Sequence, residues 1–339
     1  MHIVCSIGSW VNSIEDVDKL VEAGMTVPRF NFSHIDYEKS EKLISEIKKK
    51  YPEMPIFQDL QGNKLRVSKL FRNQIKVNEG DIVYFCTEEL YKKYQRTDKY
   101  TLIPVAYEGE FKDLQKARTI YMKDATMEFT VLGRNENAIK VQVKKGGMVR
   151  GEKGINAPGM DRSKLGLTEK DKNDIKWGLD RGIDIICLSY VTSDDSIKEL
   201  KSFIKDYQKY NKDIKMPIIW AKIECRDAIE NFDKIVKVSD GIMIGRGDLL
   251  AELELHEIPL AQDKIVTKMK KSVKELIIAT YVLDSLKKGS MPTINEVNDI
   301  YNFMKNKVNG FMLSGEVTIS RTPIENIKLL KDLVTRFEN

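Results

Sequence analysis

The chain has 339 residues, 42% hydrophobic and 32% charged, with only 9 Pro and 20 Gly; this excludes disorder and predicts one large domain, or a large one with a smaller companion. Its 56 Lys+Arg against 51 Asp+Glu leave a net charge of +5 that is interspersed along the chain, so nucleic acid is not the expected partner. No apolar run approaches the roughly 20 residues of a bilayer span, no export signal opens the sequence, and Cys5, Cys86, Cys187 and Cys225 form no C-x-x-C pair; the expectation is a cytoplasmic protein with buried free thiols and no membrane partner.

In chain order, short apolar runs alternate with amphipathic stretches. The runs are 3–7, 27–32, 55–59, 183–188, 217–223, 241–244, 276–280 and 310–313, and helical spacing follows them, as at 14–23, 37–50 and 323–337. Eight βα units predict a closed parallel barrel of the α/β class. Between the third and fourth runs, 75–77, 81–86, 101–105, 119–122, 129–132 and 138–143 read as strands separated by turns, without helical rhythm. Setting aside these roughly 85 residues leaves about 255, near the typical length of a (β/α)8 TIM barrel. The predicted organisation is therefore barrel over 1–68, a small all-β lid over 69–153, and barrel again over 154–339; a single wound sheet beside an unrelated β domain is the alternative.

In such barrels chemistry is done at the C-terminal ends of strands, and here those ends are heavily charged. The second run brings Arg29, Asn31, Ser33 and His34, and the third brings Asp59 followed by Lys64 and Arg66. The fifth ends in Lys222 and Glu224, the sixth in Arg246 and Asp248, the seventh in Thr280, and the eighth in Ser314 and Glu316. Burying so many charges together is costly without a ligand or metal. Glu224 and Asp248 are hard oxygen donors suited to magnesium, while Lys222, Arg29 and Arg66 offer charge to a phosphate, so the residues point to phosphoryl transfer. The glycines between 144 and 153 do not fit a phosphate-loop spacing and read as turns.

These residues also carry a resemblance. VCSIG (4–8), RFNFSH (29–34), KGINAPG (153–159), TEKD (168–171), AKIE (221–224), SDGIMIGRGDL (239–249), IAT (278–280), PTINEVND (292–299) and MLSGE (312–316) resemble, in order, the signatures of the pyruvate kinase family. The resemblance implies a barrel with a mobile lid that moves phosphate from phosphoenolpyruvate to ADP, giving pyruvate and ATP, with magnesium or manganese. It implies Glu224 and Asp248 as metal ligands, and Lys222 as the stabiliser of the phosphoryl group in flight. Arg29 would bridge that group and the nucleotide. Gly247, Asp248 and Thr280 would hold the substrate carboxylate, with Thr280 also on the proton path to the enolate. Arg66, Asn31, Ser33, Asp59 and Ser189 would complete the site floor, and His34, Tyr37 and Lys153 would approach the nucleotide. Family likeness also implies a homo-oligomer formed through barrel helices. Two other functions stay open: a related phosphotransferase acting on another 2-oxo acid or enol phosphate, and a non-catalytic ligand-binding barrel.

Departures from the family pattern carry their own expectations. The sequence ends at Asn339, so the effector domain that usually follows the barrel is not expected. Gly245 stands where an alanine lines the methyl pocket, leaving room beside the substrate's third carbon; Ser9 replaces a proline, Ile35 a glycine, and Ser163 an Asp or Asn of the lid. In most of the family potassium is held by the counterparts of Asn31, Ser33 and Asp59 with a threonine, beside a glutamate. Here Leu60 stands for the threonine and Lys64 for the glutamate, as in potassium-independent members, with Gln61 and Val67 agreeing. A lysine ammonium is a compact point charge able to take a monovalent ion's place, so potassium is not expected to be required.

Overall fold

The computed structural model describes residues 1–94, 100–289 and 291–338; positions 95–99 of the expected lid, and 290 and 339 of the second barrel segment, lie outside the described residues. The chain divides into two compact units, one of Met1–Gly62, Glu169–Arg246 and Pro259–Asn339, the other of Asn63–Thr168 and Gly247–Ile258.

In the first unit eight parallel strands close on themselves. They are His2–Ser6, Val27–Asn31, Phe57–Asp59, Ile185–Leu188, Ile218–Ile223, Gly241–Gly245, Glu275–Ala279 and Gly310–Leu313. The eighth pairs back onto the first, Ile3 opposite Phe311 and Val4 opposite Met312, so the predicted (β/α)8 barrel is present. Alternate side chains of a strand share a face. Val4, Val27, Phe57, Cys187, Trp220, Met243, Ile277 and Met312 form one buried cluster, and two residues further along the same faces stand Ser6, Arg29, Asp59, Ser189 and Lys222. The strands thus fill the barrel with apolar side chains and then offer polar ones at their C-terminal ends.

The helices between strands bury the stripe their spacing dictates: Val17, Leu20 and Ala23 on Ile14–Ala23, and Leu43, Ile44 and Ile47 on Tyr37–Lys50. The latter starts where the Asp36 carboxylate accepts the Lys39 N–H at 3.1 Å, satisfying an otherwise orphaned donor. Among the described residues no helix is long and apolar enough to cross a membrane.

The second unit is built on a seven-stranded sheet in the order Ile155–Asn156, Thr119–Met122, Met127–Arg134, Ala138–Lys145, Ile82–Cys86, Leu102–Ala106, Arg66–Val67, with a separate pair of Ile75–Val77 and Gly147–Val149. Its own core includes Val83, Phe85, Ile103, Ile120, Phe129, Val141 and Val143. The expectation of an all-β insert needs correction, because the unit also contains an α-helix, Glu88–Tyr94, and a 3-10 helix, Phe111–Lys116. Seven residues are too few to display a 3.6-residue period, and this helix is held by burial of Tyr91 against Phe71, ring centroids 6.2 Å apart. The unit also reaches beyond 69–153. Ile155 pairs with Met122 and Asn156 with Tyr121, and a buried ion pair at 2.6 Å joins Arg162 to Glu252, which ties 247–258 to it.

Candidate active site

Within the barrel unit the strand ends assemble a compact group of four charges. The Lys222 ammonium lies 3.1 Å from Asp59 Oδ1, 3.1 Å from Glu224 Oε1 and 2.9 Å from Ser189 Oγ. Arg29 Nε donates to Asp59 Oδ2 at 2.8 Å and its Nη1 to Ser6 Oγ at 2.5 Å. Glu224 Oε2 accepts the Tyr190 N–H at 3.0 Å. All four charged residues are buried, and two cations balance two anions, which is the condition under which buried charges are tolerated. Burial works against the charge on Lys222, yet Asp59 and Glu224 outweigh it and hold its pKa above that of an ordinary lysine. Burial likewise opposes the Asp59 carboxylate, but Lys222 and Arg29 bring its pKa below the usual value of 3.8. The site is a pre-formed, internally neutralised group in which the Lys222 ammonium is fixed by its own counter-ions.

The loop after the third strand supports this group. Gly62 has φ +62°, and a Cβ there would stand 2.3 Å from the Ser189 carbonyl oxygen, so only glycine lets the two chain segments approach. Its N–H is taken by Asp171 Oδ1 at 3.1 Å. Ser189 Oγ meets the Leu60 carbonyl at 2.6 Å.

Beside Arg29 opens a cavity of about 470 Å³, lined among others by Ser6, Gly8, Ser9, Asn31, His34, Lys39 and Ser314. Asn31 Oδ1 accepts the Ser33 N–H at 3.1 Å, capping the 3-10 turn Phe32–His34, and this turn carries His34 to the cavity wall. Tyr37 is placed differently from the expectation. Its hydroxyl donates to Asp174 Oδ1 at 2.5 Å and its ring packs edge-on against Phe32 and Trp177; it braces the helix 169–180 and is not among the lining residues. Lys39, on the same wall, had drawn no role from sequence: its Nζ donates to the Ser9 carbonyl at 2.9 Å, pinning the first strand's loop.

The expected residues of the second unit form their own arrangement. Lys64 Nζ lies 2.7 and 2.9 Å from the two oxygens of Asp248, and Asn156 Nδ2 donates to Asp248 Oδ1 at 3.2 Å. Asp248 and Gly247 sit in the first turn of the helix Arg246–Glu252. Arg66 donates to the Glu152 carbonyl at 2.9 Å, and Lys153 is exposed, its carbonyl accepting the Val67 N–H at 2.9 Å. Asn156 lies inside the KGINAPG run, so its motif was visible although its partner was not.

Against these sites stand the comparisons. The family described as "Pyruvate kinase, barrel domain" matches residues 1–327. The chain belongs to the pyruvate kinase family. It is 32% identical over 99% of its length to the pyruvate kinase of Bacillus licheniformis, 32% over 99% to that of Thermotoga maritima, and 32% over 99% to that of Thermococcus litoralis. It spans 57%, 70% and 69% of those family members.

Family membership sharpens the question of Gly245, and the structure corrects the expectation drawn from it. A Cβ on Gly245 would stand 2.6 Å from Glu224 Cγ and 2.7 Å from its Oε1. The space left by the missing methyl is filled by Glu224, whose carboxylate is anchored by Lys222 and the Tyr190 amide. Gly245→Ala is therefore expected to displace Glu224 from Lys222 and the Tyr190 amide and to lower the urea midpoint of unfolding. An unchanged midpoint would show that the space beside Gly245 is open and restore the pocket reading.

Proposed function

We propose that the protein is a phosphotransferase of pyruvate kinase type, moving phosphate between phosphoenolpyruvate and ADP. The observation that carries the proposal is the Lys222 ammonium held by Asp59, Ser189 and Glu224 at the strand ends of a barrel of this family. In the reaction the bond between phosphorus and the enol oxygen breaks, and an oxygen of the ADP β-phosphate takes the phosphorus. The enolate left behind accepts one proton at its third carbon to become pyruvate. Little covalent work is required of the protein, and rate comes from position and charge.

Lys222 presents charge to the phosphoryl group without reorganisation, because its counter-ions already fix it. Arg29, anchored on Asp59 and Ser6 and lining the cavity, suits a bridge from that group to the nucleotide, with Asn31 and His34 on the same wall. Among the described residues no three His, Cys, Asp or Glu cluster as a metal site, so a divalent ion would rest on few carboxylates and on substrate oxygens, as magnesium commonly does. On the family resemblance we assign Glu224 and Asp248 as its carboxylate ligands; within its own unit each lies beside a lysine, Lys222 at 3.1 Å and Lys64 at 2.7 Å. Magnesium or manganese, when bound, supplies neutralising charge at phosphoryl and enol oxygens. We assign Gly247, Asp248 and Thr280 to the substrate carboxylate on the family resemblance.

A coupled assay following magnesium-dependent and ADP-dependent loss of phosphoenolpyruvate tests the proposal; clear binding of both ligands without turnover would retire it. The alternative of a related phosphotransferase acting on another 2-oxo acid or enol phosphate draws no support from Gly245, where Glu224 occupies the space.

Independence from potassium belongs to the same proposal. Asn31 Oδ1 is engaged by the Ser33 amide, both oxygens of Asp59 by Arg29 and Lys222, and Leu60, buried, brings no side-chain oxygen. The Asn31 and Asp59 oxygens thus already have partners, Leu60 offers none, and Lys64 places a positive charge at Asp248, which supports this reading. Turnover is expected to stay nearly constant when potassium is exchanged for a large inert cation at constant ionic strength, and Lys64→Glu is expected to lower activity. A strong potassium requirement in the wild type would contradict this.

A further inference from the structure

The seventh strand ends in Ala279-Thr280-Tyr281, with no glycine to ease a turn, yet Thr280 has φ +62° and Tyr281 φ +54°. Two consecutive side-chain-bearing residues in the left-handed region are strained, most of all a β-branched threonine, and such strain persists only where the surroundings impose it. One side chain bridges both residues. Arg246, buried at the end of the sixth strand, donates from Nε to the Thr280 carbonyl at 2.8 Å and from Nη2 to the Tyr281 carbonyl at 2.7 Å, while its Nη1 is paired with Asp299. The guanidinium carbon also lies 5.6 Å from the centre of the Phe303 ring. A guanidinium is a rigid planar fork with donors on three sides, which a lysine cannot reproduce.

We propose that Arg246, oriented by Asp299, is a positioning residue for the proton transfer to the substrate's third carbon. By gripping both carbonyls it keeps Thr280 in its left-handed backbone, and because a threonine's first torsion is stiff, the grip also fixes the hydroxyl, which here donates to the Ala279 carbonyl at 2.6 Å. The proposal rests on the reading of Thr280 as part of the proton path. An ion pair serving stability alone would not need to bridge two strained carbonyls.

The test uses the full chain with magnesium, ADP and phosphoenolpyruvate, and separately follows deuterium entry from solvent into the methyl group of pyruvate in the presence of magnesium and ATP. Arg246→Lys keeps a charge for Asp299 but removes the fork. It is expected to lower kcat and methyl exchange together by about 100-fold, the scale of a misplacement near 1 Å, with KM for phosphoenolpyruvate held within about threefold, as for an interaction made only in the transition state. Asp299→Asn is expected to give a smaller loss of the same kind. Should Arg246→Lys fail to fold, Arg246→Ala with added methylguanidinium serves instead, and recovery of exchange on addition supports the grip. Exchange and kcat within about twofold of wild type in folded Arg246→Lys, a rise in KM with kcat intact, or no recovery by methylguanidinium would each overturn the proposal. A wild type that neither turns over phosphoenolpyruvate nor exchanges pyruvate protons would instead remove the underlying reading, and this proposal with it.

Discussion

Lys222→Met is expected to abolish phosphoryl transfer while leaving phosphoenolpyruvate binding largely intact. In the proposed reaction the ammonium is needed chiefly where charge develops between the two oxygens that exchange phosphorus, so its loss would fall on the transition state. Removing a single pre-oriented donor costs on the order of 100–1,000-fold in kcat, and a full charge at the phosphoryl group should cost at least about that. The structure adds a second consequence. Arg29 remains on Asp59, but Glu224 loses the ammonium 3.1 Å from its Oε1, and an uncompensated buried charge typically costs about 3–5 kcal/mol. Urea unfolding should therefore show the variant destabilised, and the rate is to be measured well below its unfolding midpoint. Calorimetric titration of phosphoenolpyruvate alongside single-turnover rates decides the matter: equal losses of binding and turnover would show that Lys222 acts on the ground state.

The second large effect is expected from the two carboxylates. Glu224→Gln and Asp248→Asn each remove a charged oxygen donor proposed to hold the metal, and each should raise the half-saturating magnesium concentration by at least about 10–100-fold, the loss seen even when only a partner of a metal ligand is removed. The variants differ in what they leave behind. Glu224→Gln deprives Lys222 of one of two counter-charges, whereas Asp248→Asn leaves Lys64 facing a neutral amide. Direct manganese binding, followed by electron paramagnetic resonance, separates loss of the metal from loss of the lysine's position. If both variants kept the wild-type binding curve, the carboxylates would be structural partners of their lysines and the metal assignment would be wrong.

The barrel was legible from local patterns, because a strand has a period of two and a helix of 3.6, and both repeat within a few residues. The charges at the strand ends were visible in the same runs, and the period of two sets Arg29 two residues past Val27, Asp59 two past Phe57 and Lys222 two past Trp220, on the faces that carry the barrel core. The helix Glu88–Tyr94 was not, being shorter than the window in which a helical period shows. Partnerships lay further still from view. Lys222 and Asp59 are 163 residues apart in sequence, Arg246 and Asp299 are 53, and Tyr37 and Asp174 are 137.

What the sequence by itself determined was the alternation of elements, the face on which each side chain falls, and the chemical types collected at the strand ends. Tertiary structure alone decided which charges neutralise one another, that Tyr37 braces a helix, that Glu224 fills the space beside Gly245, and that a fork from the sixth strand grips the end of the seventh. The physical reason is one of range. Backbone torsions and side-chain alternation act between neighbours and leave a trace in every short window. A hydrogen bond of 2.8 Å joining Arg246 to the Thr280 carbonyl exists only once the closed sheet has brought two strand ends together.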